Sequence, residues 1–143
     1  MPNPYHDPAN GRFTSKSGAG PTKLNYIRNN NGIRKHAAPG AFGQNVEPWG
    51  QYMSEDTAPS NPLQKGWERG KVSFSNPIVL DHADGGWKSE LSAGFGNATG
   101  KLLSTRMMSA GFDGVITKDK YGIGEIVDIR PRGRRGSVAT AKA

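Results

Sequence analysis

The chain has 143 residues, with 19 Lys or Arg against 12 Asp or Glu and a formal net charge of +7, which sets an expectation of one domain. No cysteine is present, excluding disulfides, thiolate zinc sites and thiol nucleophiles. No run of 18 apolar residues occurs, so no membrane-spanning helix is expected, and the opening Met-Pro-Asn-Pro-Tyr-His-Asp lacks the basic and apolar regions of an export signal.

With 20 Gly and 10 Pro, the chain reads as loop-rich with a small core. Its charge is uneven. Residues 1–48 carry six basic and two acidic groups, residues 49–129 eight and ten, and residues 130–143 five and none. The basic excess therefore belongs to the two ends before it describes a folded nucleic-acid-binding face.

Residues 1–23 hold only Tyr5 and Phe13 as large apolar groups and read as a flexible N-terminal arm. Leu24–Arg28 alternates apolar and polar residues as a short strand does. A long loop over 29–48 follows, with turn signals at Asn29-Asn30-Asn31-Gly32 and Pro39-Gly40. Trp49–Ser54 reads as a strand, and Glu55-Asp56-Thr57-Ala58 as one helical turn behind a Ser54 N-cap.

Val72 and Phe74 alternate with polar neighbours, Pro77 breaks the ladder, and Ile78-Val79-Leu80 suits a buried strand. Trp87, Leu91 and Phe95 form the stripe of an amphipathic helix, and the Gly94–Gly100 stretch reads as a joint between helices. A second helix starts from Thr99 as N-cap, buries Leu102, Leu103, Met107 and Ala110, and stops at Gly111. Strands at Val115-Ile116 and Glu125–Ile129 then form a hairpin with Lys118, Asp119 and Lys120 at its tip. The order is an α+β pattern without regular βαβ alternation.

No metal site is expected: His6, His36 and His82 lie far apart, and Asp81-His82-Ala83-Asp84-Gly85 lacks the ligand alternation of a calcium loop. The basic tail over 130–143 offers Arg130, Arg132, Arg134 and Arg135 without interleaved aromatics. It is suited to weak, nonspecific nucleic-acid contact through phosphates, or to solvent or a partner protein. Arg28, Ser54 and Glu125 stand at strand ends, where a cation holds phosphate or ribose, a hydroxyl orients an acid, and a carboxylate stabilises a developing oxocarbenium ion. The plain reading of Glu125 is a strand-edge carboxylate paired with Lys118, Lys120 or a tail Arg.

The words Trp49-Gly50-Gln51-Tyr52-Met53-Ser54, Asn76-Pro77-Ile78-Val79-Leu80-Asp81, Gly111-Phe112-Asp113-Gly114-Val115-Ile116-Thr117 and Gly124-Glu125-Ile126-Val127-Asp128-Ile129 resemble the phage and polyvalent-protein branch of the ADP-ribosyltransferase fold. Asn3–Thr14 resembles leader segments of phage head and minor structural proteins. The resemblance implies an ADP-ribosyltransferase-like α+β domain over residues 24–129, with two small β-sheets packed around a cleft for NAD. It implies Glu125 and Ser54 as catalytic residues and Arg28, Tyr52 and Trp49 as NAD-binding residues. Position 123 is Ile, where many arginine-modifying members carry Glu or Gln, and Asn29 stands where a Gly is usual. Two functions follow from the resemblance: NAD-dependent ADP-ribosyl transfer to a host protein, or a non-catalytic virion component whose basic arms hold neighbouring subunits. The implied location is the phage virion or the host cytoplasm.

Overall fold

The computed structural model describes residues 18–29, 46–81 and 86–131. The expected arm before residue 18, most of the 29–48 loop, the 82–85 turn and the tail from residue 132 lie outside the described residues. The elements are β1 (Thr22–Asn29), β2 (Gln51–Glu55), β3 (Trp67–Phe74), β4 (Ile78–Leu80), α1 (Gly86–Gly94), α2 (Gly100–Ser109), β5 (Gly114–Asp119) and β6 (Gly122–Asp128). This is the expected α+β composition.

Hydrogen bonds join the six strands in the order β3-β1-β2-β6-β5-β4. All neighbours are antiparallel except β4 and β5, which run parallel because both helices lie in the crossover between them. Where two small sheets were expected, the strands form one ladder folded on itself at β2. Gln51, Tyr52 and Met53 pair with β6, whereas Ser54 and Glu55 pair with β1. The fold brings β3 against β5 although β1, β2 and β6 separate them in the ladder. The Phe74 ring fills the space a side chain on Gly114 would need, and Arg130 Nη2 donates to the Ser73 carbonyl at 3.0 Å. Tyr26, Met53, Val72, Phe74, Val79, Ile116 and Ile126 make the apolar interior between the halves.

The other face of β4, β5 and β6 carries the helices. Ile78, Leu80, Val115, Val127 and Ile129 pack there with Trp87, Leu91, Leu103, Met107 and Phe112. Successive strand residues go to alternate cores, which explains why Ile78–Leu80 reads as a continuous apolar run.

Thr99 is the N-cap of α2, in extended conformation and without a side-chain capping bond. The helix ends as expected. Gly111 adopts a φ of 101°, Gly111 N–H donates to Met108 O and Phe112 N–H to Met107 O, and Phe112 buries its ring: the αL closure that favours glycine. Leu102 is a correction. It is 53% exposed, because at 100° per residue it lies outside the Leu103–Met107 stripe. Ser104 is buried instead, donating to Trp49 O at 2.6 Å.

The helical turn expected over Glu55–Ala58 is a second correction. Ser54 and Glu55 stay in β2, and Asp56 turns the chain by accepting Ala58 N–H on Oδ1 and Arg69 Nε on Oδ2 at 2.7 Å. Arg69 also donates to Asn61 O and Ala58 O, so the loop wraps a guanidinium rather than coiling. Arg130, counted with the tail, belongs to the domain. It bonds Asp128 through Nε at 3.0 Å, approaches Asp113 at 3.8 Å and lies over the Phe74 ring. It is therefore engaged inside the protein; Arg132, Arg134 and Arg135 lie outside the described residues.

Candidate functional site

Glu125 owes its position to an irregularity in the β5–β6 hairpin. Ile116 pairs with Ile126 but Lys118 with Ile123, so β6 carries one extra residue around Gly124 and Glu125. The Glu125 N–H leaves the ladder and donates to Thr117 Oγ1 at 2.8 Å. Bulges of this kind bend a strand and re-aim its side chain. The half-buried Glu125 carboxylate meets α1, where Oε2 accepts the Trp87 indole N–H at 3.0 Å. Neither Lys118 nor Lys120 is its partner, and β6 is an interior strand, not an edge.

Tyr52 pairs with Val127 and so shares a face with Val127 and Glu125. Its hydroxyl donates to Pro48 O at 2.7 Å, and its ring lies 6.5 Å from that of Trp87. Burial above all, then the negative charges of Glu47 and Glu125, push the Tyr52 phenol far above the ordinary tyrosine range. Lys88 Nζ lies 5.9 Å from the Tyr52 ring and 5.6 Å from the Trp87 ring. Ser54 shares the face of Tyr52 and is exposed; it follows Met53, the last β2 residue paired with β6, and itself pairs with Ile27 of β1.

Arg28 does not join them. Ile27 is the β1 residue that pairs with Ser54, so Arg28 faces the interior between the half-sheets. There its Nε lies 3.3 Å from Glu68 Oε2, which also accepts the Tyr26 hydroxyl at 2.5 Å. Trp49 is tied to α2: its N–H donates to Gly100 O, its carbonyl accepts the Ser104 hydroxyl, and its ring lies 5.5 Å from Lys101 Nζ. Of the five expected site residues, Tyr52, Ser54 and Glu125 converge on one face, Trp49 flanks them through α2, and Arg28 is turned to the other face.

The sequence reading missed Glu47, Thr117 and Lys88, and saw Trp87 only as core. Trp87 is fully buried, and helical spacing reports that burial without revealing that its N–H needs an acceptor. Glu47 sits in what reads as a polar loop, yet it is 6% exposed and its backbone oxygen accepts Gly100 N–H at 3.0 Å. Its Oε2 has no hydrogen-bond partner among the described residues. No one-dimensional pattern marks such a carboxylate.

The Glu125 carboxylate, the Ser54 hydroxyl and the Tyr52 ring thus share one face, with the buried Trp87 ring beneath them. Arg28, expected to bind the NAD phosphates, is paired with Glu68 on the face opposite Glu125. Among the described residues no group of three metal-ligating side chains occurs, and no helix is long and apolar enough to cross a membrane. No family model, curated protein or solved structure matches this chain.

Proposed function

We propose that the chain is a phage-encoded ADP-ribosyltransferase-like protein that transfers ADP-ribose from NAD to a host protein, with Glu125 as the catalytic carboxylate. The observation that supports this reading is the bulge at Glu125, on the face of β6 that Tyr52 and Ser54 share on β2, where β2 passes from one half-sheet to the other. NAD, when bound, supplies a ribose carbon whose bond to nicotinamide breaks with both electrons leaving on neutral nicotinamide, so that a protein nucleophile bonds to that carbon and releases its proton. Glu125 accepts hydrogen bonds from the nicotinamide ribose and stabilises the positive charge that develops there. Ser54 orients Glu125. Tyr52 walls the nicotinamide pocket next to Trp87, with Trp49 behind it. Incubation of the protein and labelled NAD with bacterial lysate labels a host protein, and Glu125→Gln abolishes the label without changing the circular dichroism spectrum. A lysate left unlabelled by the wild-type protein overturns the reading.

One observation favours a second reading. The engagement of Arg28 with Glu68, on the face away from Glu125, suits a fold kept as scaffold in a virion component such as a head decoration, connector-associated or minor capsid protein. In that reading the basic arms bind neighbouring subunits. It predicts a fixed number of copies per purified particle by quantitative mass spectrometry, and detection only in infected-cell cytoplasm refutes it.

A further inference from the structure

On the face where α1 and α2 cover β4, β5 and β6, the loop between β2 and β3 covers β1 and β3. Ile27 pairs with Ser54 on one side and Arg69 on the other, so it shares their face, as does Trp67, two residues before Arg69 on β3. The loop does not close onto these side chains. A cavity of about 370 Å³ remains between it and Ile27, Trp67 and Arg69, within the size range of small-molecule sites. Arg69 fixes the rim: Nε donates to Asp56, Nη1 to Asn61 O and Nη2 to Ala58 O. One N–H on each Nη is left without a partner among the described residues. The cavity is electrically neutral. Asp56 compensates the guanidinium, no lysine stands among the described lining residues, and Glu55 pairs with the interior Tyr26, which places its side chain on the opposite face.

We propose that this cavity binds one uncharged sugar ring of a glycan, a function separate from the NAD reading. A pyranose has an apolar face of C–H groups and a perimeter of hydroxyls that each donate and accept. Trp67 and Ile27, both half-buried, supply the apolar wall for the first. The Thr57 hydroxyl and the Asn61 and Gln64 amides, exposed at separate points of the loop, each donate and accept in turn and so match the second. The remaining N–H groups of Arg69 add donors. An anion finds the only lining guanidinium already neutralised, and an ammonium finds no unpaired carboxylate, so a charged ligand loses its hydration without compensation. A nucleobase carries fixed donors and acceptors on its edges, whereas rim groups that play both parts suit hydroxyls spaced around a ring.

The test uses the full 15N-labelled chain, with the methyl glycosides of glucose, galactose, mannose and N-acetylglucosamine as probes. At least one of them shifts the Trp67 indole resonance, assigned through Trp67→Phe, and leaves the Trp49 and Trp87 indoles in place. Asn61→Ala and Gln64→Ala, at exposed loop positions, keep the wild-type melting temperature and each weaken that binding about three- to tenfold, the worth of one hydrogen bond. Saturating NAD does not displace the glycoside. No Trp67 shift with any of the glycosides, a shift unaltered in both loop variants, or displacement by NAD overturns the proposal. Adenosine binding more tightly than every glycoside overturns it in favour of a nucleobase.

Discussion

Trp87→Phe deletes the one donor that α1 gives to Glu125, the indole N–H at 3.0 Å from Oε2, while keeping an aromatic ring in the core. Trp87 is fully buried among Leu91, Leu103 and Val127, so water cannot replace the lost donor. A hydrogen bond to a charged group is worth about 1.5–3 kcal/mol, and the smaller ring adds about 1 kcal/mol for the void it leaves. Trp87→Phe is therefore expected to destabilise the protein by about 3 kcal/mol. Only the hydrogen-bond part disappears when Glu125 is already Ala. A double-mutant cycle of Trp87→Phe and Glu125→Ala, read by urea unfolding with far-ultraviolet circular dichroism, should show a coupling of about 1.5 kcal/mol. Losses that add to within about 0.3 kcal/mol refute the claim that α1 holds the carboxylate.

Gly114→Ala places a Cβ into the Phe74 ring and is expected to cost about 1–3 kcal/mol by overpacking, with part of the loss recovered in Phe74→Leu; thermal melting of the single and double variants checks this. Arg130→Ala removes the guanidinium donors from Asp128, whose side chain is 2% exposed, leaving it the backbone N–H of residue 130, and should cost about 3 kcal/mol. A chain ending at Ile129 shares that loss in urea unfolding, and one ending at Pro131 escapes it. Tyr52 supplies a pH dependence. Its folded phenol is raised above the unfolded value, so above a pH of about 10 the native state holds a proton that the unfolded state has lost. This stabilisation is complete below that pH and declines as pH rises, by up to about 1.4 kcal/mol per pH unit. Urea unfolding across that range should show a shallower decline in Tyr52→Phe, and equal slopes would contradict the burial argument.

The helices and five of the strands were legible because their patterns are local. The Trp87–Leu91 spacing, the Gly111 stop, the apolar run at Ile78–Leu80 and the β5–β6 hairpin all declare themselves within a few residues. β3 was legible only at its end. Trp67-Glu68-Arg69-Gly70 has no clean alternation, and its strand state comes from pairing with β1, Arg28 against Glu68 and Ile27 against Arg69. The same long-range pairing decides the site. Ser54 and Glu125 stand out at strand ends and Tyr52 comes from the family resemblance, but the face on which Arg28 lies depends on a register that the sequence does not contain. The bulge at Glu125, the buried Glu47 and the return of Arg130 onto Ser73 likewise come from contacts between segments far apart in the chain. Partitioning the charge along the sequence did foreshadow the arrangement: acidic groups outnumber basic ones in residues 49–129, and one of them, Glu125, lies at the proposed site.

The central claim is that Glu125 catalyses cleavage of NAD. Nicotinamide release from NAD by the purified chain, compared with Glu125→Gln at matched thermal melting, measures it directly. The account predicts release by the wild-type protein and a loss of about a hundredfold or more in the variant, the scale of removing one preorganised electrostatic stabiliser. A variant as fast as the wild type, or a folded wild-type chain that releases no nicotinamide, contradicts it.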